Sequence, residues 1–246
     1  MTALGNITAV GWSLGDDTLG NPGWGRTPNT NDKPTFYAVT ANGSTYAWGN
    51  NRLGALGDGL PVNAMAPPLG TGTPRQVVGL PPVLSVVGRQ AGALALDREG
   101  KVWSWGQRNE QSLLLGAAGT GDDYATPRRI DTLFNRFGPV QQIQCGAAAS
   151  CGALTRSGRL LLWGFFGNGD GTKGAATAYD LFPVTEVPLP ANRRVTYLGA
   201  SENMVYALLD DGRLVVFPGY PTAPKFIDTR QVLPAAGGTS SVTCSK

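Results

Sequence analysis

Few side chains in this chain have the type and spacing to do chemistry. Adjacent carboxylates occur at Asp16-Asp17, Asp122-Asp123 and Asp210-Asp211, and a glycine-rich loop with one lysine runs from Gly167 to Gly174. Three cysteines (Cys145, Cys151 and Cys244) are present, and histidine is absent. A chain without histidine holds no Ser-His-Asp triad, no Cys-His pair and no histidine metal ligand. It also lacks the commonest base titrating near neutral pH. Paired carboxylates hydrolyse glycosides when two face one cleft. Neighbours along a strand point to opposite faces, however, and Asp in glycine-rich stretches favours turns. A carbohydrate-active enzyme using loop Asp residues is therefore an alternative rather than the reading adopted. The glycine-rich loop fails the phosphate-loop pattern, because Gly174 follows Lys173 and no long helix comes after it. Asn168 and Asp170 supply too few oxygens for a calcium loop. The sequence thus predicts no catalytic residue, no metal ligand and no cofactor. The cysteines read as small buried apolar residues, with a bond from Cys145 or Cys151 to Cys244 left open.

The elements that position these residues are short. Glycine (35) and proline (18) punctuate the 246 residues so densely that the longest stretch free of both, Ala200 to Asp211, has 12 residues. Helical bundles, coiled coils and TIM barrels need many longer stretches. The chain contains no apolar run of about 18 residues and no basic patch before an apolar core at its start. A cytoplasmic or virion location is the expectation. The net charge of +3 comes from 15 Arg, 5 Lys and 17 acids. The densest basic spots are Arg128-Arg129 and Arg193-Arg194, short of the stripe or tail that phosphate neutralisation requires. Nucleic acid is not an expected partner.

A repeat organises the rest. Tyr37–Gly49, Leu94–Gly106, Ala153–Gly164 and Tyr206–Phe217 each hold an apolar segment, a polar turn ending in glycine, and a second apolar segment ending at or beside an aromatic residue. The turn glycines Gly43, Gly100, Gly158 and Gly212 are spaced by 57, 58 and 54 residues, and each lies five residues before Trp48, Trp105, Trp163 or Phe217. Glycine before a short β-rich run marks a tight hairpin. One hairpin cannot bury its own faces, so the units must stack. The matched aromatics are expected as wedges between neighbouring sheets. Pro74-Arg-Gln-Val77 and Pro127-Arg-Arg-Ile130, with Pro183-Val184 as a looser copy, predict a third strand entered through proline. Val83–Gly88, Val140–Gly146 and Val195–Gly199 predict a fourth strand of the same unit. The fold class is all-β: a β-propeller-like array of about four four-stranded blades.

The unit resembles the repeat of the regulator of chromosome condensation family. The family signature is an apolar strand, Asp-Gly, an aromatic strand, Trp-Gly, then Asn-x-x-Gly-x-Leu-Gly. Trp48-Gly-Asn-Asn-Arg-Leu-Gly-Ala-Leu-Gly-Asp-Gly59 matches it closely. Trp105-Gly106 keeps the start but has Gln111 and Ser112 where glycine is expected. Trp163-Gly164 leads into a shifted glycine-rich stretch, and Phe217 replaces the last Trp. The resemblance covers Thr35 to Phe226 and implies a propeller, typically of seven blades. Ile7–Gly11 reads as one more terminal strand, followed by an insertion from Trp12 to Asp32. Residues 1–34 are thus expected as a closing strand plus insertion, and 35–246 as the repeat domain. Four units predict an open arc, a small ring, or an arc completed by another chain. An open arc leaves sheet edges and apolar faces that favour burial on a partner or on a copy of the chain.

Several aromatics fall outside the repeat: Trp12, Trp24, Tyr124, Phe134, Phe137, Phe165, Phe166, Tyr179 and Tyr220. Loops on rigid scaffolds carry function, and aromatics anchor interfaces. Trp24, Tyr124, Phe165, Phe166 and Tyr179 are the expected partner contacts. The resulting reading is a non-enzymatic propeller that binds a protein or a glycan and serves as a subunit of a larger assembly, such as a virion, a phage tail or a bacterial surface-recognition system. The resemblance also implies two alternatives: guanine-nucleotide exchange on a small GTPase, and inhibition of an enzyme such as a β-lactamase.

Overall fold

Four hairpin turns set the frame. Gly43, Gly100, Gly158 and Gly212 close them with φ of 91°, 89°, 86° and 85°, a region that favours glycine. At Gly100 space is also restrictive, since a Cβ would lie 2.7 Å from the Val140 carbonyl oxygen of the following blade. The computed structural model describes residues 4–13, 34–51, 54–60, 70–89, 92–106, 124–146, 150–165, 181–201, 204–217 and 225–228.

Each hairpin is the centre of a four-stranded antiparallel sheet. The first blade is β1 (Ile7–Ser13), β2 (Thr35–Thr40), β3 (Thr45–Gly49) and β4 (Thr71–Gln76). The second is β5 (Val83–Arg89), β6 (Gly92–Asp97), β7 (Val102–Gly106) and β8 (Tyr124–Arg129). The third is β9 (Val140–Cys145), β10 (Ser150–Thr155), β11 (Leu160–Phe165) and β12 (Leu181–Val187). The fourth is β13 (Val195–Ala200), β14 (Val205–Leu209), β15 (Arg213–Phe217) and β16 (Lys225–Asp228). The sheets form a four-bladed β-propeller array, in which strand order follows chain order within each blade.

The phase of the unit differs from the sequence expectation. The sequence pattern has Val83–Gly88 finish the preceding unit, yet β5 pairs with β6 and opens the next blade. β9 and β13 do the same, and β1 opens the first blade by pairing with β2. A tandem repeat has no origin in its sequence, so the strand fits either side. The proline strands begin earlier than expected, at Thr71, Tyr124 and Leu181. Pro74, Pro127 and Pro183 sit within register shifts opposite Trp48, Trp105 and Trp163. A residue without an N–H suits an outer strand where the ladder is already broken.

Burial patterns reveal which blades have two neighbours. β6 and β10, in the middle blades, are buried at every position. β14 and β15 in the fourth blade and β3 in the first alternate between buried and half-buried residues, and β1 in the first blade is exposed on one face. A strand covered on both sides reads as continuous burial, whereas one covered on a single side alternates. Three hydrophobic cores lie among the described residues, one at each junction of consecutive blades. None of them joins the fourth blade to the first.

Two further features depart from the sequence expectation. A short helix, α1 (Asp131–Phe137), bridges β8 and β9 and buries Leu133 and Phe137 in the core between the second and third blades. Cys145 and Cys151 are bonded to each other. They stand directly opposite in the β9–β10 ladder, which corrects both the reduced reading and the pairing with Cys244. Cys244 itself lies outside the described residues.

Candidate partner-binding surface

The surface is best built from the rows of side chains that cross each blade. The front face of a blade is the one turned toward the preceding blade, and the rear face is turned toward the following one. In the second blade the front row is Gly88, Ala93 and Trp105, paired across β5, β6 and β7. Small residues at the first two positions bring the sheets close: a Cβ on Gly88 would sit 1.8 Å from the Trp12 carbonyl oxygen. Trp105 fills the remaining space, fully buried, with its indole N–H donating to the Ala55 carbonyl oxygen at 2.9 Å. It meets Tyr37 on the rear face of the first blade edge to face, with centroids 5.8 Å apart. Burial pushes the Tyr37 hydroxyl well above the usual tyrosine range. That hydroxyl also donates to the Ala55 carbonyl oxygen. Trp163 and Phe217 are buried at the next two junctions.

Trp48 has no such neighbour among the described residues. Its row reads Trp12, Phe36 and Trp48 across β1, β2 and β3. Trp12 is 57% exposed and Phe36 41%, while Trp48 is half-buried and stacks on Phe36, with centroids 5.8 Å apart at 23°. In the adjoining row Val10 is also exposed. Sequence reasoning places Trp48 with the wedges and leaves Trp12 unassigned. The available signal is compositional: bulky Trp12 stands where the later units carry Gly88, Cys145 or Ala200.

The loop after Trp48 builds the rim at the first junction. Asn51 is fully buried; its side-chain oxygen accepts from the Leu56 N–H at 2.9 Å. Leu56 thereby enters the core between the first two blades. Asp58 holds Arg75 at 2.9 Å, and the Gly59 N–H reaches the Ala125 carbonyl oxygen on β8. The rim is therefore tied across two blades by a short polar network.

The expected partner contacts are only partly placed. Tyr124 is the first residue of β8, opposite Gly106, and Phe165 is the last residue of β11, opposite Leu181. Both are strand residues rather than loop residues, and both lie at the rim where β3, β7, β11 and β15 end. Trp24, Phe166 and Tyr179 lie outside the described residues, as do Asp16-Asp17, Asp122-Asp123 and the Gly167–Gly174 loop.

The chemistry-bearing groups that are described serve structural contacts. Asp211 accepts from the Arg213 backbone N–H at 3.1 Å and pairs with its guanidinium at 2.8 Å, which holds its carboxyl below the usual range. Asp210 faces Arg193 at 3.7 Å. Arg129 pairs with Asp131. A cavity of about 770 Å³ lies where β1, β5 and β9 converge. Val10, Trp12, Leu84, Gln141, Gln142 and Gln144 are among its walls, and its described lining carries no carboxylate and no cationic side chain. Among the described residues no group of three or more His, Cys, Asp or Glu could hold a metal ion. No described helix is long and apolar enough to cross a membrane.

Comparison with known proteins places this geometry. The repeat profile described as "Regulator of chromosome condensation (RCC1) repeat" matches residues 99–152. That segment runs from the turn of the second blade into β10, so the family repeat straddles a blade boundary. The RCC1 domain-containing mitochondrial protein RUG3 of Arabidopsis thaliana is 30% identical over 184 residues, covering 72% of this chain and 38% of that protein. The chain thus spans well under half of this relative's length. Among solved structures, human WBSCR16 superposes with a TM-score of 0.58 at 21% identity, over 78% of this chain and 50% of that one. Prp20p from Saccharomyces cerevisiae, whose structure was described together with its binding to Gsp1p and histones, superposes with a TM-score of 0.53 at 25% identity, over 74% of this chain and 41% of that one.

Proposed function

This chain belongs to the regulator of chromosome condensation repeat family of β-propellers, and from that premise we propose that it is a non-enzymatic protein-binding module. The observation that carries the reading is the common rim. The connections that follow β3, β7, β11 and β15 all leave from it, and Tyr124, at the start of β8, and Phe165, at the end of β11, both stand on strand ends at this rim. A rigid stack of sheets that collects several connections on one rim is suited to recognition. A protein as ligand agrees with the behaviour of Prp20p, which binds Gsp1p and histones. The cavity at the inner strands offers no acid–base pair among its described walls, so the geometry favours binding over turnover. Nothing in these relatives supports a virion or phage-tail role.

The test is affinity capture from an extract of the source cells. The intact chain is compared with a variant carrying Trp24→Ala, Tyr124→Ala, Phe165→Ala, Phe166→Ala and Tyr179→Ala. The expected result is one discrete protein retained stoichiometrically by the intact chain and lost by the variant, with unchanged far-ultraviolet circular dichroism. Equal capture by both proteins would remove these residues from the binding surface. Retention of oligosaccharides with no protein would replace the reading with glycan recognition.

A further inference from the structure

We propose that the front face of the first blade docks on the rear face of the fourth blade of a second copy of this chain, head to tail. Every internal junction pairs one blade's front face with the rear face of the blade before it, and among the described residues the first blade's front face and the fourth blade's rear face meet no such counterpart. Trp48 is the counterpart of Trp105, five residues beyond the turn glycine. Tyr206 is the counterpart of Tyr37, six residues before it. Tyr37 and Trp105 meet edge to face inside the molecule; Tyr206 and Trp48 are each left half-buried at opposite ends. Around Tyr206 the rear face continues through Tyr197, which is 51% exposed and lies 6.5 Å from the Tyr206 ring, and through half-buried Leu208. Both ends therefore present apolar faces one blade wide, larger than scattered surface residues.

The occupant follows from the shape of these faces and from the number of blades. A whole sheet, rather than a strand or a short peptide, matches a face that crosses three strands. The array holds four blades, and closed propellers run from about four to eight. Two such arcs joined head to tail supply about eight blades, within that range, so the second contact can close and give a finite ring rather than a filament. The end junction is wider than the first internal one. Trp12 and Phe36 stand where the second blade has Gly88 and Ala93, and a side chain at Gly88 has no room in the internal junction.

Sedimentation velocity on the full chain, from about 1 to 100 µM, tests the proposal. Trp12→Glu alters the front face, and Tyr197→Glu the rear; both positions are more than half exposed, so both variants keep the wild-type circular dichroism. The wild-type chain is expected to form a dimer as concentration rises, and each variant alone to associate at least about tenfold more weakly. An equimolar mixture of the two variants is expected to associate more than either alone, because one native front still meets one native rear. A monomer across the whole range would overturn the proposal. So would a dimer indifferent to either substitution, or a mixture no more associated than its components; a symmetric front-to-front dimer would reveal itself by surviving Tyr197→Glu.

Discussion

Trp105 and Trp48 occupy the same repeat position and differ only in what lies in front of them. Trp105 is fully buried and its N–H is satisfied by the Ala55 carbonyl. Trp48 rests on Phe36. Trp105→Ala is expected to cost about 3–5 kcal/mol, the range for large aromatic truncations in a core. Trp48→Ala is expected to cost no more than about 1 kcal/mol, because little apolar area is lost from contact. Urea denaturation of the two variants side by side checks the contrast; equal losses would mean that the first blade's front face is covered. Charge is a weaker lever. Glu186 receives a bidentate pair from Arg159, with Nε at 2.9 Å, and its carboxyl is held below the usual range by that hydrogen bond. A carboxylate lowered in the folded state stabilises above its unfolded pKa and loses that contribution as pH falls through the folded value. The pair is more than one-third exposed on both sides, so Glu186→Gln is expected to cost at most about 1 kcal/mol at pH 7. The difference from wild type should shrink toward zero as the solution is acidified below the carboxylate range, and a difference that persisted there would mean packing rather than charge is lost.

At the scale of elements, the turns and the cross-strand bond are the informative parts. Gly100 and Gly158 have nearly the same φ, 89° and 86°, but different surroundings. A Cβ at Gly100 would meet the Val140 carbonyl oxygen at 2.7 Å, whereas one at Gly158 meets nothing within 4 Å. Gly158→Ala should therefore show the backbone term alone, about 1 kcal/mol. Gly100→Ala should exceed it measurably, since β9 must move; equal thermal shifts would sink the idea that this turn seats the next blade. The Cys145–Cys151 bond spans a sequence separation of six and joins strands already paired. Replacing both cysteines by alanine is expected to cost about 2 kcal/mol at most and to leave the sheet intact. These elements also show what is legible in the sequence. Glycine at fixed spacing before an aromatic residue marks the hairpins, because a positive φ and a large ring each restrict residue choice. The blade boundary is hidden, since β5 fits either neighbour by pattern alone. The helix at Asp131–Phe137 is hidden as well, because two turns give no readable period. The Cys145–Cys151 bond requires the β9–β10 register, which no spacing rule supplies.

For the whole molecule, the three junction cores make stability a nearest-neighbour matter. Among the described residues the second and third blades each share a core on both faces, while the first and fourth share one only. The rim network at Asn51 and Asp58 reinforces the first junction. On the opposite side, guanidinium contacts run from blade to blade: Arg98 donates to the Ala41 carbonyl at 3.1 Å and Arg156 to the Arg98 carbonyl at 2.9 Å. The corresponding residue in the fourth blade is Asp210, which pairs with Arg193 of its own blade instead. The fourth blade therefore lacks that staple among the described contacts. Local opening should follow the same gradient, because amides in units with fewer buried contacts exchange by smaller unfolding events. Native-state hydrogen exchange in dilute solution is expected to show β6 and β10 most protected, with β14 and β15 opening at lower free energy. Arg98→Ala and Arg156→Ala should each lower protection chiefly in the two blades they bridge. Uniform protection across all four blades would mean that the array unfolds as one unit, and that its ends are no weaker than its middle.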